Sequence, residues 1–416
     1  MIRLIEALNY RCLRYVHQPL DRFHILVGPN ASGKTTFLDV LSFLGKMVSD
    51  GLERAIEDRT ADFRDLVWGR EGHSFELAVE AEIPQLRRRQ LHRSDYDVLR
   101  YEVRVGLDET SEAPAILEER ASLKRLESVS RGPLLFPIEP SAPDTIMAQR
   151  RKDQRTVLSK TEGSDHFYSE VETESGKGWY PSVRLGPSKS VLGNLHEDES
   201  KFPVCTWFKA LLSEGVENLV LNSMELRKAS PPLLRRGFKP DGSNLPWVIR
   251  SLREACPPKF NQWIQHLQTA LPGIHDVKTV VREDDRHCYL KLCYAHDLEV
   301  PSWMTSDGTL RLLALTLPAY MEGIGGIYLV EEPENGIHPS AMEAVFHSLS
   351  SVYDAQVLLA THSTVLLSLA RPEQVLCFKQ ANSGATDIVR GDQHPALRDW
   401  RGRPNLDVLF ASGVLG

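Results

Sequence analysis

Residues 28–35 read GPNASGKT, and no other stretch limits the folds open to this 416-residue chain so strongly. The octapeptide satisfies GxxxxGK[ST] in the setting that pattern requires. The apolar run Phe23 to Val27 predicts a buried strand before it. A helix is predicted from Lys34 to Val48, with Phe37, Leu38, Leu41, Leu44 and Val48 on one face. Glycine at 28 and 33 lets the backbone bend until its N–H groups converge at a helix N-terminus, which already favours negative charge. Lys34 then sets a point charge among the β- and γ-phosphates of a nucleotide, and the Thr35 hydroxyl can ligate Mg²⁺. Pro29, Asn30, Ala31, Ser32 and Thr36 complete the predicted binding loop. A chance glycine turn would need neither the strand nor the helix.

A second element, IYLVEEPENGIHP, spans residues 327–339. Its apolar strand, Ile327 to Val330, delivers Glu331 and Glu332 at the carboxyl end, the edge where open α/β sheets bind ligands. Successive strand residues point to opposite faces, so the two carboxylates are expected to differ in role. Glu331 is assigned to the metal and Glu332 to orienting or deprotonating the attacking water. The next apolar strand, in AQVLLATHST, ends in Thr361, His362 and Ser363. A histidine at a strand end is more often structural. This one follows the acidic strand past a single helix, so its imidazole is expected beside the same pocket, where it can sense or polarise the γ-phosphate.

The third element is SDGTLRLLAL, residues 306–315. Ser306, Asp307, Gly308 and Thr309 open an apolar helix, and hydroxyls with free N–H groups there form a second anion site. One ATP has no use for two such termini, but the ATP of a neighbouring subunit would. The plain alternative is an ordinary helix cap.

The rest of the chain reads as a globular protein with 42% hydrophobic and 25% charged residues. Strands are predicted near Arg3 to Leu8, Ser74 to Ile83, Tyr96 to Leu107, Val277 to Arg282 and Cys288 to Tyr294. Helices are predicted at Val204 to Leu212, Leu245 to Ala255 and Lys259 to Leu271. From Leu117 to Ser190 the pattern dissolves into Arg, Glu, Ser, Pro and Gly, and an irregular insertion is expected. Four regions follow: 1–110 and 301–416 as two parts of one α/β head, 111–200 as the insertion, and 201–300 as a helical arm with return strands. The six cysteines show no CxxC pair, so neither a disulfide framework nor a zinc site is expected. No signal peptide is read at the N-terminus, and the best apolar run, LRLLALTLPAYM, is too short to span a bilayer and contains Arg311. A cytoplasmic location without membrane contact is expected.

The order of phosphate loop, long insertion, SDGT helix, acidic strand and THS resembles the ABC-type ATPases of the SMC, RecF and OLD-like group. DGSNLPWVIRSLRE (241–254) and LFASGVLG (409–416) look like the compact prokaryotic OLD-like AAA ATPases, often found in toxin-like or anti-phage operons. The resemblance covers roughly residues 1–110 and 200–416. It implies an ABC-type P-loop NTPase head with a mixed sheet and a helical or irregular insertion lobe, using ATP and Mg²⁺. It also implies a head-to-tail homodimer, with scope for a higher oligomer, in which Ser306–Thr309 of one subunit cover the other's ATP. Asn335 and Gly336 would then lie in the loop coupling the two sites. The family's usual Asp is Glu331 here, no Q-loop glutamine stands in DLVWGREG (65–72), and Ala31 replaces a common glycine. The loop tolerates that alanine provided that φ there is negative.

What the ATPase acts on is less constrained. One reading is a sensor that controls a separate effector, such as a nuclease, in anti-phage defence. The tail after His362 is too short for a nuclease domain, so no nuclease activity is expected of this chain. A third reading, the ATPase subunit of a transporter, is disfavoured by the missing Q-loop glutamine. The second reading is a RecF- or SMC-like DNA-binding ATPase of repair or maintenance. It draws on Arg87, Arg88, Arg89 and Arg93, and on Arg150, Arg151, Lys152 and Arg155. Such runs are commonly solvated faces, and a net charge of −7 gives a nucleic-acid surface little general support.

Overall fold

The computed structural model describes residues 1–91, 95–126, 136–139, 141–147, 154–161, 164–171, 184–232, 237–321, 325–398, 406–411 and 413. In chain order the first elements are β1 (Ile2–Tyr10), β2 (Leu13–Pro19), β3 (Phe23–Val27), α1 (Lys34–Asp50), α2 (Leu52–Glu57), β4 (Ser74–Glu82), α3 (Gln85–Arg88) and β5 (Val98–Leu107). Then come β6 (Pro114–Lys124), β7 (Arg155–Thr161), β8 (Ser164–Phe167), α4 (Pro203–Ser213), β9 (Val216–Leu219), α5 (Ser223–Arg227), α6 (Leu245–Ala255) and α7 (Pro257–Ala270). The chain continues through β10 (Ile274–Val281), β11 (Cys288–Tyr294), β12 (Glu299–Pro301), α8 (Asp307–Thr316), β13 (Gly326–Glu331), α9 (Met342–Ser350) and β14 (Ala355–Ala360). Last are α10 (Thr364–Leu369), β15 (Val375–Gln380), β16 (Thr386–Arg390), α11 (Pro395–Arg398) and α12 (Leu406–Ala411).

Three sheets organise these elements. A six-stranded sheet has the order β16-β15-β3-β14-β13-β9, parallel except for the β15–β16 hairpin. A seven-stranded antiparallel sheet has the order β2-β1-β4-β5-β6-β7-β8, and β10-β11-β12 form a third. In the six-stranded sheet β3, from the start of the chain, lies between β14 and β15 from its far end, as the sequence pattern predicts. β3 and β14 are buried at every position, which suits central parallel strands covered on both faces. Their side chains alternate between two cores. Leu26, Ile327, Leu329 and Leu358 join a core shared with α1, α4 and the antiparallel sheet. Ile25, Val27, Tyr328, Val330, Val357 and Leu359 face the other, which holds α7, α8 and α9. Among the described residues no helix is long and apolar enough to cross a membrane.

The region expected to be irregular carries β6, β7 and β8, which widen the antiparallel sheet. Buried polar residues of β6, Glu119, Ser122 and Lys124, hide its strand pattern, and Lys124 joins an ionic network that runs through β1, β4 and β5. Arg100 Nη2 donates to Glu6 Oε2 at 2.8 Å, its Nε to Glu102 Oε2 at 2.8 Å, and Lys124 Nζ to Glu80 Oε1 at 2.7 Å. Burial opposes the charge on Arg100, but Glu6 and Glu102 outweigh it and its pKa is raised. Glu119, 1% exposed, accepts from Tyr101 Oη, Ser190 Oγ and the Leu192 N–H at one oxygen and from the Val191 N–H at the other. Charged residues at inward positions erase the apolar alternation by which strands are read.

Candidate nucleotide site

The phosphate loop joins β3 to α1. Gly28 and Gly33 have φ of 152° and 100°, and a β-carbon at either would strike Phe378 O at 2.3 Å or Thr386 Oγ1 at 2.2 Å. Both positions therefore need glycine for conformation and for room. Ala31 departs from the expectation: its φ is 63°, in the left-handed region that costs an alanine about 1 kcal/mol. The β15–β16 hairpin holds it there. Gln380 Nε2 donates to Ala31 O at 2.8 Å and Thr386 Oγ1 to Ser32 O at 3.0 Å. Lys34 Nζ lies over the loop, donating to Gly28 O at 2.8 Å and Pro29 O at 2.9 Å. Burial lowers its pKa, opposed by Glu332 and Glu331. Ser32 Oγ is buried without a hydrogen-bond partner, an orphaned polar group in a loop built to meet an anion.

A cleft of about 390 Å³ is lined by Asn30 to Thr36 together with Arg11, Cys12, Glu331, Glu332, Ala360 and His362. Glu331, the last residue of β13, accepts from Thr35 Oγ1 at 2.6 Å. Glu332 differs from it for another reason than strand alternation. It lies past the strand at φ 48°, with its N–H on Ala360 O at 2.8 Å and its Oε2 accepting from Asn335 Nδ2 at 2.6 Å. His362 is half-buried, and its N–H donates to Glu334 Oε1 at 2.8 Å.

Ser306–Thr309 stand elsewhere: none of the four lines this cleft. Ser306 Oγ caps α8 through the Thr309 N–H at 3.2 Å, and Asp307 pairs with Arg227 at 2.7 Å. A β-carbon at Gly308 would lie 2.3 Å from Gly336 O, so the start of α8 touches the turn after β13 backbone to backbone.

Sequence reasoning missed Arg11, Cys12, Glu334, Gln380 and Thr386. Arg11 sits at φ 51° in the β1–β2 turn, its N–H bonded to Leu66 O at 2.9 Å in the stretch that lacks a Q-loop glutamine. Of these five, only Glu334 lay in a stretch the sequence had singled out. As for the basic clusters, Arg87 pairs with Glu199 at 2.7 Å, Arg88 with Asp97 at 2.8 Å, and Arg155 with the Ser169 carbonyl. Arg93, Arg150, Arg151 and Lys152 lie outside the described residues.

A glycine loop before a helix, its lysine over the loop, and carboxylates and a histidine brought by neighbouring parallel strands define a P-loop NTPase head. Residues 23–368 match the family described as "AAA domain, putative AbiEii toxin, Type IV TA system", and the chain belongs to that family of AAA ATPase domains. Among solved structures, the Smc head bound to the C-winged helix domain of ScpA is similar in fold, with a TM-score of 0.53 and 13% identity over 93% of this chain and 97% of that one. An Smc head with an extended coiled coil, bound to the C-terminal domain of ScpA derived from Pyrococcus furiosus, gives 0.50 and 12% over 93% and 95%. No curated protein is matched.

Proposed function

We propose that the chain binds and hydrolyses Mg-ATP as a head-to-tail homodimer, and that its closing and opening control a separate effector in prokaryotic anti-phage defence. One observation carries the dimer. Ser306–Thr309 form a capped helix start at which Ser306 is exposed, yet all four lie outside the chain's own phosphate cleft. A second copy's nucleotide gives that terminus an anion to meet. The family's description as a putative toxin of a type IV TA system supports the defence role. Of the basic residues on which a DNA-binding role would draw, Arg87 and Arg88 are engaged in ion pairs.

Lys34 and the loop N–H groups would hold the phosphates. Thr35 and Glu331 offer two oxygens to Mg²⁺, which would supply charge that offsets the phosphates. Glu332 would orient and deprotonate water, and His362, which lines the same cleft, would meet the γ-phosphate. Light scattering with and without ATP tests this reading. Glu332→Gln protein should shift from monomer to dimer on adding ATP, and Ser306→Arg should block the shift while leaving nucleotide binding in place. A constitutive dimer whose ATP turnover ignores Ser306→Arg would reduce Ser306–Thr309 to a plain cap.

A further inference from the structure

Glu334 does not line the 390 Å³ phosphate cleft, but it grips a residue that does. Its Oε1 accepts two hydrogen bonds, from Thr361 Oγ1 at 2.7 Å and from the His362 N–H at 2.8 Å. Thr361, 1% exposed, receives the Ser363 N–H on the same Oγ1 at 2.9 Å. Thr361 and His362 thus hang directly from one carboxylate oxygen, and Ser363 through the Thr361 hydroxyl. Oε2 is buried and makes no hydrogen bond. The two loops are joined again by the Glu332 N–H on Ala360 O at 2.8 Å. His362 is the only one of the three residues in this grip that also borders the phosphate cleft.

We propose that Glu334 is a positioning residue that acts on the nucleotide only through His362, by fixing the 361–363 loop against the turn that carries Glu332. This rests on the Mg-ATP reading above. A loop N–H and a buried hydroxyl bonded to a carboxylate are held more firmly than by a neutral acceptor. The imidazole at the next residue therefore has little freedom to leave the cleft. Oε1 is committed to two donors, Oε2 is buried, and Glu334 does not line the phosphate cleft, so it is not placed as a second general base.

Steady-state turnover, nucleotide binding by a fluorescent ATP analogue and a double-mutant cycle test this. Glu334→Ala should lower kcat about tenfold or more, with KM and analogue binding changed less than about threefold. Glu334→Gln keeps a carbonyl oxygen for both donors and should recover activity to within about threefold of wild type. Combined with His362→Ala, Glu334→Ala should add no further loss. Thr361→Val removes one donor at nearly constant volume and should give a smaller loss of kcat that also vanishes beside His362→Ala. It keeps the test alive if Glu334→Ala does not fold. Glu334→Gln as inactive as Glu334→Ala, or losses that multiply in the double variant, would overturn the positioning role. Wild-type protein lacking turnover that Lys34→Ala removes would instead overturn the nucleotide reading, and this inference with it.

Discussion

Glu331 and Glu332 are adjacent in sequence and differ in nearly everything that matters to a carboxylate. Glu331 ends a strand and meets the Thr35 hydroxyl, whereas Glu332 turns away at a left-handed φ and meets the Asn335 amide. Glu331→Gln is therefore expected to weaken Mg²⁺-dependent nucleotide binding, and Glu332→Gln to preserve it while cutting kcat about a hundredfold or more. Titration with a fluorescent ATP analogue, with and without Mg²⁺, separates the two; reversed behaviour would exchange their roles. Lys34→Ala should abolish turnover, because it removes the ammonium that lies over the loop. Near wild-type rates would end the site assignment. The loop, both glutamates and His362 were legible because each follows an apolar strand at a fixed offset. Arg11 and the left-handed backbone of Ala31 were not, since a positive φ in a non-glycine residue leaves no mark in the sequence.

At the scale of elements, apolar runs announced the parallel sheet, and a polar interior hid part of the antiparallel one. Cys288–Tyr294 and Leu245–Ala255 fall where their patterns put them. β6 did not show itself, because its inward Glu119 and Lys124 look like a solvated surface. Four buried donors converge on Glu119. Glu119→Ala would leave buried donors unpaired, and a destabilisation of about 4 kcal/mol is expected in urea denaturation. A loss within about 0.5 kcal/mol would mean that water replaces the carboxylate.

For the whole molecule, the seven-stranded sheet and the nucleotide sheet share a core, so the N-terminal half is a structural partner of the phosphate loop as well as its neighbour. The acidic groups that line the cleft belong to one site. Purified protein is expected to hydrolyse ATP slowly and to leave single- and double-stranded DNA and RNA uncut in Mg²⁺ and Mn²⁺. Nuclease activity that copurifies with the chain and disappears with one point mutation in it would refute this.

The seating of the phosphate loop also bears on how the chain is made. Gln380 and Thr386, which fix Ala31 and Ser32, lie 349 and 354 residues downstream of them. On the ribosome the loop emerges early, yet β3 has no sheet neighbour until β14 and β15 have been synthesised. The antiparallel sheet, by contrast, pairs β1, β2, β4 and β5 within the first 107 residues and can form while translation continues. A truncated translation product therefore carries the nucleotide-binding sequence without the means to shape it. The phosphate loop takes its final shape only once the chain has been made as far as Thr386.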